Sequence, residues 1–401
     1  MKKIIVLFIL GTTLLLPSIS KAAADLSTAQ TYLTAHAENP WSTMALSALG
    51  ASSIPSDYLK SISASSAIDY SAPILAITAL NQDPRTFGDK DYVAELKKFH
   101  TNNQIGDEST INDDIFGLLA LLSAGEPTSD STITDAKNFI LAHQQENGGW
   151  GFMTLGGTDS NITSAAIVAL VADGISASDP VIQNALNYLK TTQNDDGGFT
   201  YDPDSPWGTG SDSSSTAWVL WALKSTGNDL ADWTKSDHSP TGYLESNQIG
   251  DGYFQYQFGS GEDAFSAATT AYAVIALAGK TLPLHIFTLP QPISSGGGFI
   301  TPPEIQPPVI PTTANPPVPA PEAAAGQVLG AITFAEATLV KTTDSPTVYT
   351  VMDGKFRPFS SEKIFFAYGL KFSNVQIIGS DIITAGNMGL IMNYPDGTPH
   401  E

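Results

Sequence analysis

An apolar, alanine-rich helical pattern recurs six times in roughly the first 280 residues, and it restricts the fold more than any other feature. Each copy starts with small or polar residues and ends at a leucine. These leucines, spaced about 31 to 54 residues apart, are Leu49, Leu80, Leu121, Leu170, Leu223 and Leu277. A helix that is apolar on nearly every face must be buried on every side. Six such helices at this spacing predict a repeat architecture.

Amphipathic helices alternate with the buried ones. Ile182, Leu186 and Leu189 share one face of such a helix, and Asp179 precedes it as the expected cap. An amphipathic helix followed by an apolar one predicts a hairpin with the apolar member inside. The predicted inner helices are residues 41–49, 70–80, 114–122, 163–172, 215–223 and 267–278. Without polar capping repeats, six hairpins favour closure into an all-α (α/α)6 toroid over residues 25–285.

Three glycine-rich loops, at 144–152, 193–199 and 248–254, join the later hairpins. Each has a Gln, then acidic or Asn residues, then Gly and an aromatic residue. Glycine can end the preceding helix in a left-handed turn. We expect the aromatic ring to pack between hairpins and the Gln to bond neighbouring helix ends. These loops resemble the QW-type repeats of the terpenoid cyclase and protein prenyltransferase superfamily, and of related bacterial prenyltransferase/squalene-oxidase-repeat proteins and cobalamin carriers.

The resemblance implies where a catalytic group would lie. Class II terpene cyclases protonate an alkene with the central Asp of an Asp-x-Asp-Asp motif at the start of an inner helix. Here Asp212 opens the matching stretch, but Ser214 stands in the place of the proton donor, and an alcohol is too weak an acid for that step. Protein prenyltransferases bind zinc through Asp, Cys and His, and this chain has no cysteine. We therefore expect a non-catalytic toroid with no cofactor and no resident metal.

Other polar and aromatic residues remain candidates. Acidic residues near inner-helix starts can be helix caps or a carboxylate pair of the glycoside hydrolase type, and they are Asp69, Asp114, Asp159, Asp212 and Asp263. If the protein is an enzyme, Asp212, Asp263 and Asp114 are the catalytic candidates. For Asp113 or Asp114, capping of the helix is the favoured interpretation. Around an expected ring cavity, the ligand-binding candidates are Asp159, Asp212, Ser214, Trp207, Tyr201, Glu262, Asp263 and Tyr256.

Such a cavity suits a small molecule, a lipid or a glycan. The alternative is that the loop aromatics only seal the hairpin junctions, which we favour for Trp150, Phe199 and Phe254. A weak calcium candidate consists of Asp195, Asp196, Asp202 and Asp204, whose spacing is not that of an EF-hand.

The two ends of the chain differ from its middle. Residues 1–24 have the basic start, short apolar run and small residues of a signal peptide cleaved near Ala24, and no later stretch predicts a membrane span. Residues 286–330 predict a Pro/Gly-rich linker. Residues 331–401 predict a small α+β module with a hairpin around Asp353 and Gly354, and the stretch from Thr338 to Val375 within it resembles repeats of bacterial surface proteins. That resemblance implies attachment to a cell-envelope component.

The formal net charge of −22 disfavours nucleic-acid binding. Three hypotheses follow for a secreted or cell-surface protein. The first is a non-catalytic toroid that binds a ligand, the second a diverged terpene-cyclase-like or carbohydrate-active enzyme, and the third a purely structural surface protein.

Overall fold

The computed structural model describes residues 23–62, 64–88, 90–205 and 209–289, together with parts of 334–383. The predicted signal peptide up to residue 22, Trp207 and almost all of the predicted linker lie outside the described residues. Across the described ranges, no helix combines the length and the apolar character needed to cross a membrane.

The helices alternate as the sequence predicts. The α-helices are α1 (Leu26–Ala35), α2 (Pro40–Ala48), α3 (Ile68–Ala79), α4 (Tyr92–Lys97), α5 (Asn112–Ser123), α6 (Ser131–Ala142), α7 (Ser160–Ala172), α8 (Pro180–Thr191), α9 (Ser213–Thr226), α10 (Pro240–Asn247) and α11 (Ser266–Leu277). Two 3-10 helices cover Asp57–Ser61 and Leu230–Trp233. Helix α4 has only 6 residues, and a two-stranded turn follows it.

The buried helices form a closed ring. In order around it, α2, α3, α5, α7, α9 and α11 each pack against the next, and α11 packs against α2. Each is preceded in the chain by an outer element, which is the 3-10 helix Asp57–Ser61 in the second hairpin and an α-helix in the others. The predicted α/α toroid of six hairpins is therefore confirmed.

Aromatic side chains fill the middle of the ring. Trp41 on α2 contacts Phe116 on α5, with ring centroids 6.2 Å apart, although α3 separates these helices. Phe116 also contacts Trp218 on α9, at 5.8 Å, across the position of α7. Trp221 and Tyr272 complete the group, and all five residues are at most 4% exposed. We call these five residues the aromatic plug. The cavity expected inside the ring is replaced at this level by packed aromatic rings.

A short segment after α11 crosses the end of the ring at which the inner helices finish. Thr281 donates to the carbonyl of Trp221 on α9 at 2.9 Å, and the N–H of Phe287 donates to the carbonyl of Ser123 at the end of α5 at 2.7 Å. Leu282, between them, is 2% exposed. Because α7 lies between α5 and α9, this segment spans part of the opening and helps to close that end.

The described part of the C-terminal module is a four-stranded sheet. Its strands are β3 (Leu339–Thr342), β4 (Val348–Met352), β5 (Lys355–Pro358) and β6 (Gln376–Ile378), in the order β5-β4-β3-β6, whereas β1 (His100–Thr101) and β2 (Gln104–Ile105) pair within the toroid. The predicted hairpin is confirmed, with Met352 opposite Lys355 and Gly354 at φ 65°. Strand β6 pairs parallel to β3. The sequence analysis did not identify β3 as a strand.

Candidate functional site

The inner helices all begin at one end of the ring, which we call the N-terminal mouth. Each segment that follows a glycine-rich loop lies across the start of the preceding inner helix, and backbone bonds fix it there. The bonds run from Ile111 N–H to the Phe152 carbonyl (3.0 Å), from Ser160 N–H to the Tyr201 carbonyl (2.9 Å) and from Ser213 N–H to the Tyr256 carbonyl (2.8 Å). This mouth is therefore built from successive overlapping loops.

The aromatic residue of each loop is fixed by an inner-helix threonine. In all three loops the backbone N–H of the aromatic residue donates to the threonine hydroxyl. The pairs are Trp150 with Thr163 (2.9 Å), Phe199 with Thr216 (3.0 Å) and Phe254 with Thr270 (2.9 Å). All three aromatic side chains are 0% exposed. They seal the hairpin junctions, as the sequence analysis favoured.

The glutamine of each loop bonds the next hairpin. Its side-chain N–H donates to a backbone carbonyl of the next hairpin, at the start of the outer helix for Gln144 and Gln248 and at the end of the 3-10 helix Leu230–Trp233 for Gln193. The pairs are Gln144 with Val181, Gln193 with Trp233 and Gln248 with Asp25. The last pair joins the final hairpin to the first, so it closes the ring, and the N–H of Asp25 donates in return to Gln248. The predicted role of these glutamines is confirmed.

Asp159 and Asp212 cap the inner helices α7 and α9. Asp159 accepts from the N–H of Ile162 at 2.7 Å, and Asp212 accepts from the N–H and the hydroxyl of Ser215, both at 2.7 Å. Each carboxyl group also accepts a hydrogen bond from the hydroxyl of a tyrosine after the next loop. Tyr201 donates to Asp159, and Tyr256 donates to Asp212. Burial raises the pKa of Asp159 to about 7 and that of Asp212 to about 6, although these hydrogen bonds lower both values.

The prediction that Asp113 or Asp114 caps its helix is wrong. Ile111 precedes α5, and no side chain caps that helix. Asp114 instead accepts the N–H of Ile105 at 2.8 Å, as the threonines of α7, α9 and α11 accept their loop N–H groups. Asp113 accepts the N–H of Asp107 at 3.1 Å. Burial raises the pKa of Asp113 to about 7 and that of Asp114 to about 9.

Residues 100–106 are thus a fourth, diverged copy of the loop, which the sequence analysis missed. The copy lacks the aromatic residue of the other three, because Ile105 occupies its place. The remaining signal is Asn103, which at φ 60° takes the place of the left-handed glycine that lies two residues before the aromatic residue in the other loops. Asp114, protonated near neutral pH, substitutes for a threonine hydroxyl at this position.

The other polar candidates also have partners at the mouth. The Ser214 hydroxyl lies 3.1 Å from the Thr269 hydroxyl, and Ser214 is 9% exposed. Glu262 accepts from the hydroxyl of Tyr32 at 2.8 Å. Asp263 accepts from the N–H of Phe265 at 2.9 Å, three residues before α11 begins. The structure therefore brings the described candidate residues together at one mouth. There they form a rim whose polar side chains are hydrogen-bonded to other groups of the protein. The candidate Trp207 lies outside the described residues.

The structure does not gather the calcium candidates. Asp196 accepts from the N–H of Gly198 and from the Ser211 hydroxyl, so it organises its own turn. Asp202 accepts from the N–H of Asp204 at 2.9 Å, and the side chain of Asp195 is 80% exposed. Over the ranges that the structure describes, no three His, Cys, Asp or Glu side chains are placed to hold a metal ion.

Exposed apolar side chains stand on the loops of the N-terminal mouth. Phe258 is 84% exposed, Leu155 is 83% exposed and Tyr256 is 40% exposed. Leu155 and Phe258 follow the first and third glycine-rich loops, and the sequence analysis missed both. Only their place in the sequence could have indicated them, because each lies in the polar, glycine-containing stretch between a loop motif and an inner helix.

Comparison with known proteins agrees with this fold. Residues 111–263 match the family model of the squalene-hopene cyclase C-terminal domain. Protein geranylgeranyltransferase-I of Candida albicans, complexed with GGPP, has a TM-score of 0.52 and 13% identity, over 67% of this chain and 96% of that chain. A type II terpene cyclase from Scytonema has a TM-score of 0.46 and 14% identity, over 63% and 95%. The search of curated proteins found no match.

Ring order, loop bonding, the family-model match and the likeness to the geranylgeranyltransferase agree on one architecture. At such identities a structural likeness establishes the fold and leaves the activity open. The predicted resemblance is confirmed at the level of the fold: the helices between Leu26 and Leu277 form an α/α toroid similar to that of terpenoid cyclases and protein prenyltransferases.

Proposed function

We propose that the toroid is a non-catalytic binding domain of a secreted or cell-surface protein, and that a glycan contacts its N-terminal mouth. The aromatic plug is the observation that carries this proposal. Terpene cyclisation needs a dry cavity in which an acid faces a folded hydrocarbon. Five aromatic side chains, each at most 4% exposed, occupy the middle of the ring instead.

The carboxyl groups support the same conclusion. Asp212, the remaining acid of the diverged cyclase motif, is 1% exposed, and its oxygens accept the N–H and hydroxyl of Ser215 and the hydroxyl of Tyr256. Ser214, in the proton donor's place, pairs with Thr269. A buried acid that caps its own helix stabilises the fold without contacting a substrate.

The surface of the mouth favours a glycan over a wholly apolar ligand. The exposed rings of Phe258 and Tyr256 provide flat apolar faces, and Glu262 and Asp263 nearby in the chain provide carboxylate acceptors. Sugar rings combine apolar C–H faces with hydroxyl donors, so they suit aromatic rings with polar neighbours. A lipid headgroup or another small molecule is the alternative ligand for the same rim.

Native mass spectrometry of the full mature chain, incubated with pools of oligosaccharides, lipids, terpenoids and corrinoids, tests the proposal. We expect an oligosaccharide to be retained unchanged. Phe258→Ala should weaken its binding about tenfold or more without lowering the melting temperature. Ile377→Ala, at a 65% exposed residue of the C-terminal sheet, is the matched control. Retention of a lipid instead would contradict the glycan and make a lipid the ligand. A chain that retains nothing would favour the purely structural hypothesis.

A diverged carbohydrate-active or terpene-cyclase-like enzyme is the second candidate. The raised pKa values of Asp159 and Asp212, about 7 and about 6, favour it because general acids need such values near neutral pH. A shortened glycan or a new isomer in the same incubation would support this candidate. Product formation should then be abolished by Asp212→Asn in a chain that still melts cooperatively.

Secretion and surface attachment are part of the proposal. The predicted signal peptide of residues 1–24 and the proline-rich composition of residues 286–330 support export followed by presentation at the envelope. An N-terminal sequence starting near Ala24 in protein recovered from the culture medium or the cell surface is the expected result. Intact Met1 in the recovered protein would contradict it.

A further inference from the structure

The sheet of the C-terminal module buries residues on both of its faces. Alternation along strand β4 directs Val351 to one face, where it joins Val340 and Phe356 in a small cluster of the module's own. Val348 and Met352 point to the opposite face and belong to the continuous apolar cluster that includes the toroid core. A module held apart on its linker would leave this second face in water.

A charge interaction accompanies this apolar contact between the module and the ring. Arg357, on β5, has a buried Nε atom, and its positive charge acts on Asp113 in the first turn of α5. Burial raises the pKa of Asp113 to about 7, the charges of Asp107 and Asp69 raise it further, and Arg357 opposes them. Asp113 itself is 7% exposed. Arg357 thus faces an acidic corner of the N-terminal mouth, formed by Asp69, Asp107 and Asp113.

We infer that the C-terminal module docks on the N-terminal mouth at α5, with Arg357 against this acidic corner, and is part of one compact unit with the toroid. Arg357 is half-buried, and a guanidinium that loses part of its hydration is unfavourable unless carboxylates compensate it. The chain has two arginines, and the other one, Arg85, is paired with Asp83 and Glu126. Docking leaves Phe258 exposed, so this inference goes beyond the proposed glycan contact and does not depend on it.

The connection between the two parts is long enough for docking. About 44 residues separate Leu289 from Phe334, and an extended chain spans roughly 3.3 Å per residue. The inner helix α5 has 12 residues, which corresponds to about 18 Å. The intervening residues therefore suffice to join the end of the ring beside Ser123 to the opposite mouth.

The lack of cysteine in the chain makes the docking testable by site-specific cross-linking. Glu108→Cys, beside the acidic corner, and Lys355→Cys, beside Arg357, place thiols at two exposed positions. In the full mature chain, a short bifunctional thiol reagent should link them within one molecule. The control pair is Lys355→Cys with Lys224→Cys, an exposed position near the other end of the ring. The first pair should react about tenfold faster or more, and equal rates would overturn the docking.

Substitutions in the 108/355 pair test the charged contact. Arg357→Gln should slow the cross-linking about tenfold, whereas Lys341→Gln, which removes a charge from β3 of the same module, should leave the rate unchanged. Should Arg357→Gln unfold the module, Asp113→Asn provides the same test from the toroid side, because an amide oxygen still accepts the Asp107 N–H. An unchanged rate for the folded variant would overturn the assigned contact. No ligand is present in these measurements, so failure of the glycan proposal cannot affect them.

Discussion

Single side chains at the inner-helix starts decide how well each loop is held. Thr163, Thr216 and Thr270 accept a backbone N–H that no water reaches, since the aromatic residue carrying it is 0% exposed. Asp114 does the same for Ile105 with a carboxyl group whose pKa is raised to about 9. This position therefore requires an uncharged hydrogen-bond acceptor on a side chain long enough to reach the backbone N–H of the loop. A neutral acid and a hydroxyl both meet it.

Thr216→Val tests this requirement. Valine has nearly the same shape but leaves the N–H of Phe199 unsatisfied and removes the hydroxyl bond to the Asp212 carbonyl. We expect the free energy of unfolding to fall by about 1–3 kcal/mol. Thr191→Val, on the exposed side of α8, should change it by less than about 0.5 kcal/mol. Denaturant unfolding of both variants makes the comparison, and equal losses would contradict the role of Thr216.

At the scale of the helices, the loops act as links between neighbouring hairpins. Gln193 is 7% exposed, and its side chain bonds both its own loop and the carbonyl of Trp233. Gln248 makes the corresponding bonds to Gly252 and Asp25, and so attaches helix α1 to the last hairpin. Apolar packing positions each hairpin, whereas these polar links fix the register of one against the next.

Gln248→Ala should weaken the attachment of α1 selectively. The expected effect is faster amide hydrogen exchange in α1, corresponding to a local loss of about 1 kcal/mol. Exchange in α7, on the far side of the ring, should keep its wild-type rate. Gln183→Ala, at an exposed position on α8, is the control and should change neither helix. Faster exchange spread evenly over all helices would show that Gln248 does not act locally.

For the whole molecule, the aromatic plug joins helices that are not neighbours in the ring. Phe116→Ala removes the contacts of α5 with both Trp41 and Trp218. We expect a loss of about 3–5 kcal/mol, from lost burial and the remaining cavity. Phe258→Ala, at an 84% exposed residue, should cost less than about 0.5 kcal/mol. A loss below about 1 kcal/mol for Phe116→Ala would mean that the ring centre is open in solution.

The pH dependence of stability is also a property of the whole ring. Burial raises the pKa of Asp114, Asp159 and Asp212 to about 9, 7 and 6, from 3.8. Above about pH 4 the folded protein therefore binds more protons than the unfolded chain, and stability falls as pH rises toward about 9. We expect the melting temperature to increase between about pH 8 and pH 5. Below about pH 4 it should drop, because ion pairs lower the pKa of Glu126 and Asp130.

Differential scanning calorimetry across this range measures the effect. Asp114→Asn keeps an uncharged acceptor for the Ile105 N–H and should cost little at neutral pH. It should also flatten the decline above about pH 7, which is the part due to Asp114. A melting temperature that rises steadily from about pH 5 to pH 8 would contradict the assignment of these buried acids.

The sequence predicted the parts of this molecule that depend on local pattern. Helices that are apolar all round had to be inner helices, and the repeated Gln, Gly and aromatic order indicated the links between hairpins. It could not predict the aromatic plug, because a helix without a polar face does not reveal that Phe116 and Trp218 point to the ring centre. It also misassigned Asp114, since an acid near a helix start is most often a cap. The structure alone related Arg357 to Asp113, about 244 residues away.

Closure through Gln248 and Asp25 has a consequence for biosynthesis. A chain made from its N-terminus produces α1 and α2 first, yet their last neighbour, α11, is complete only at Leu277. Until then Trp41, which ends up 2% exposed, lacks its partner Tyr272 on α11. The nascent protein therefore exposes the apolar surface of an incomplete ring through most of its synthesis. A holding chaperone that shields the first hairpin should raise the yield of correctly closed rings.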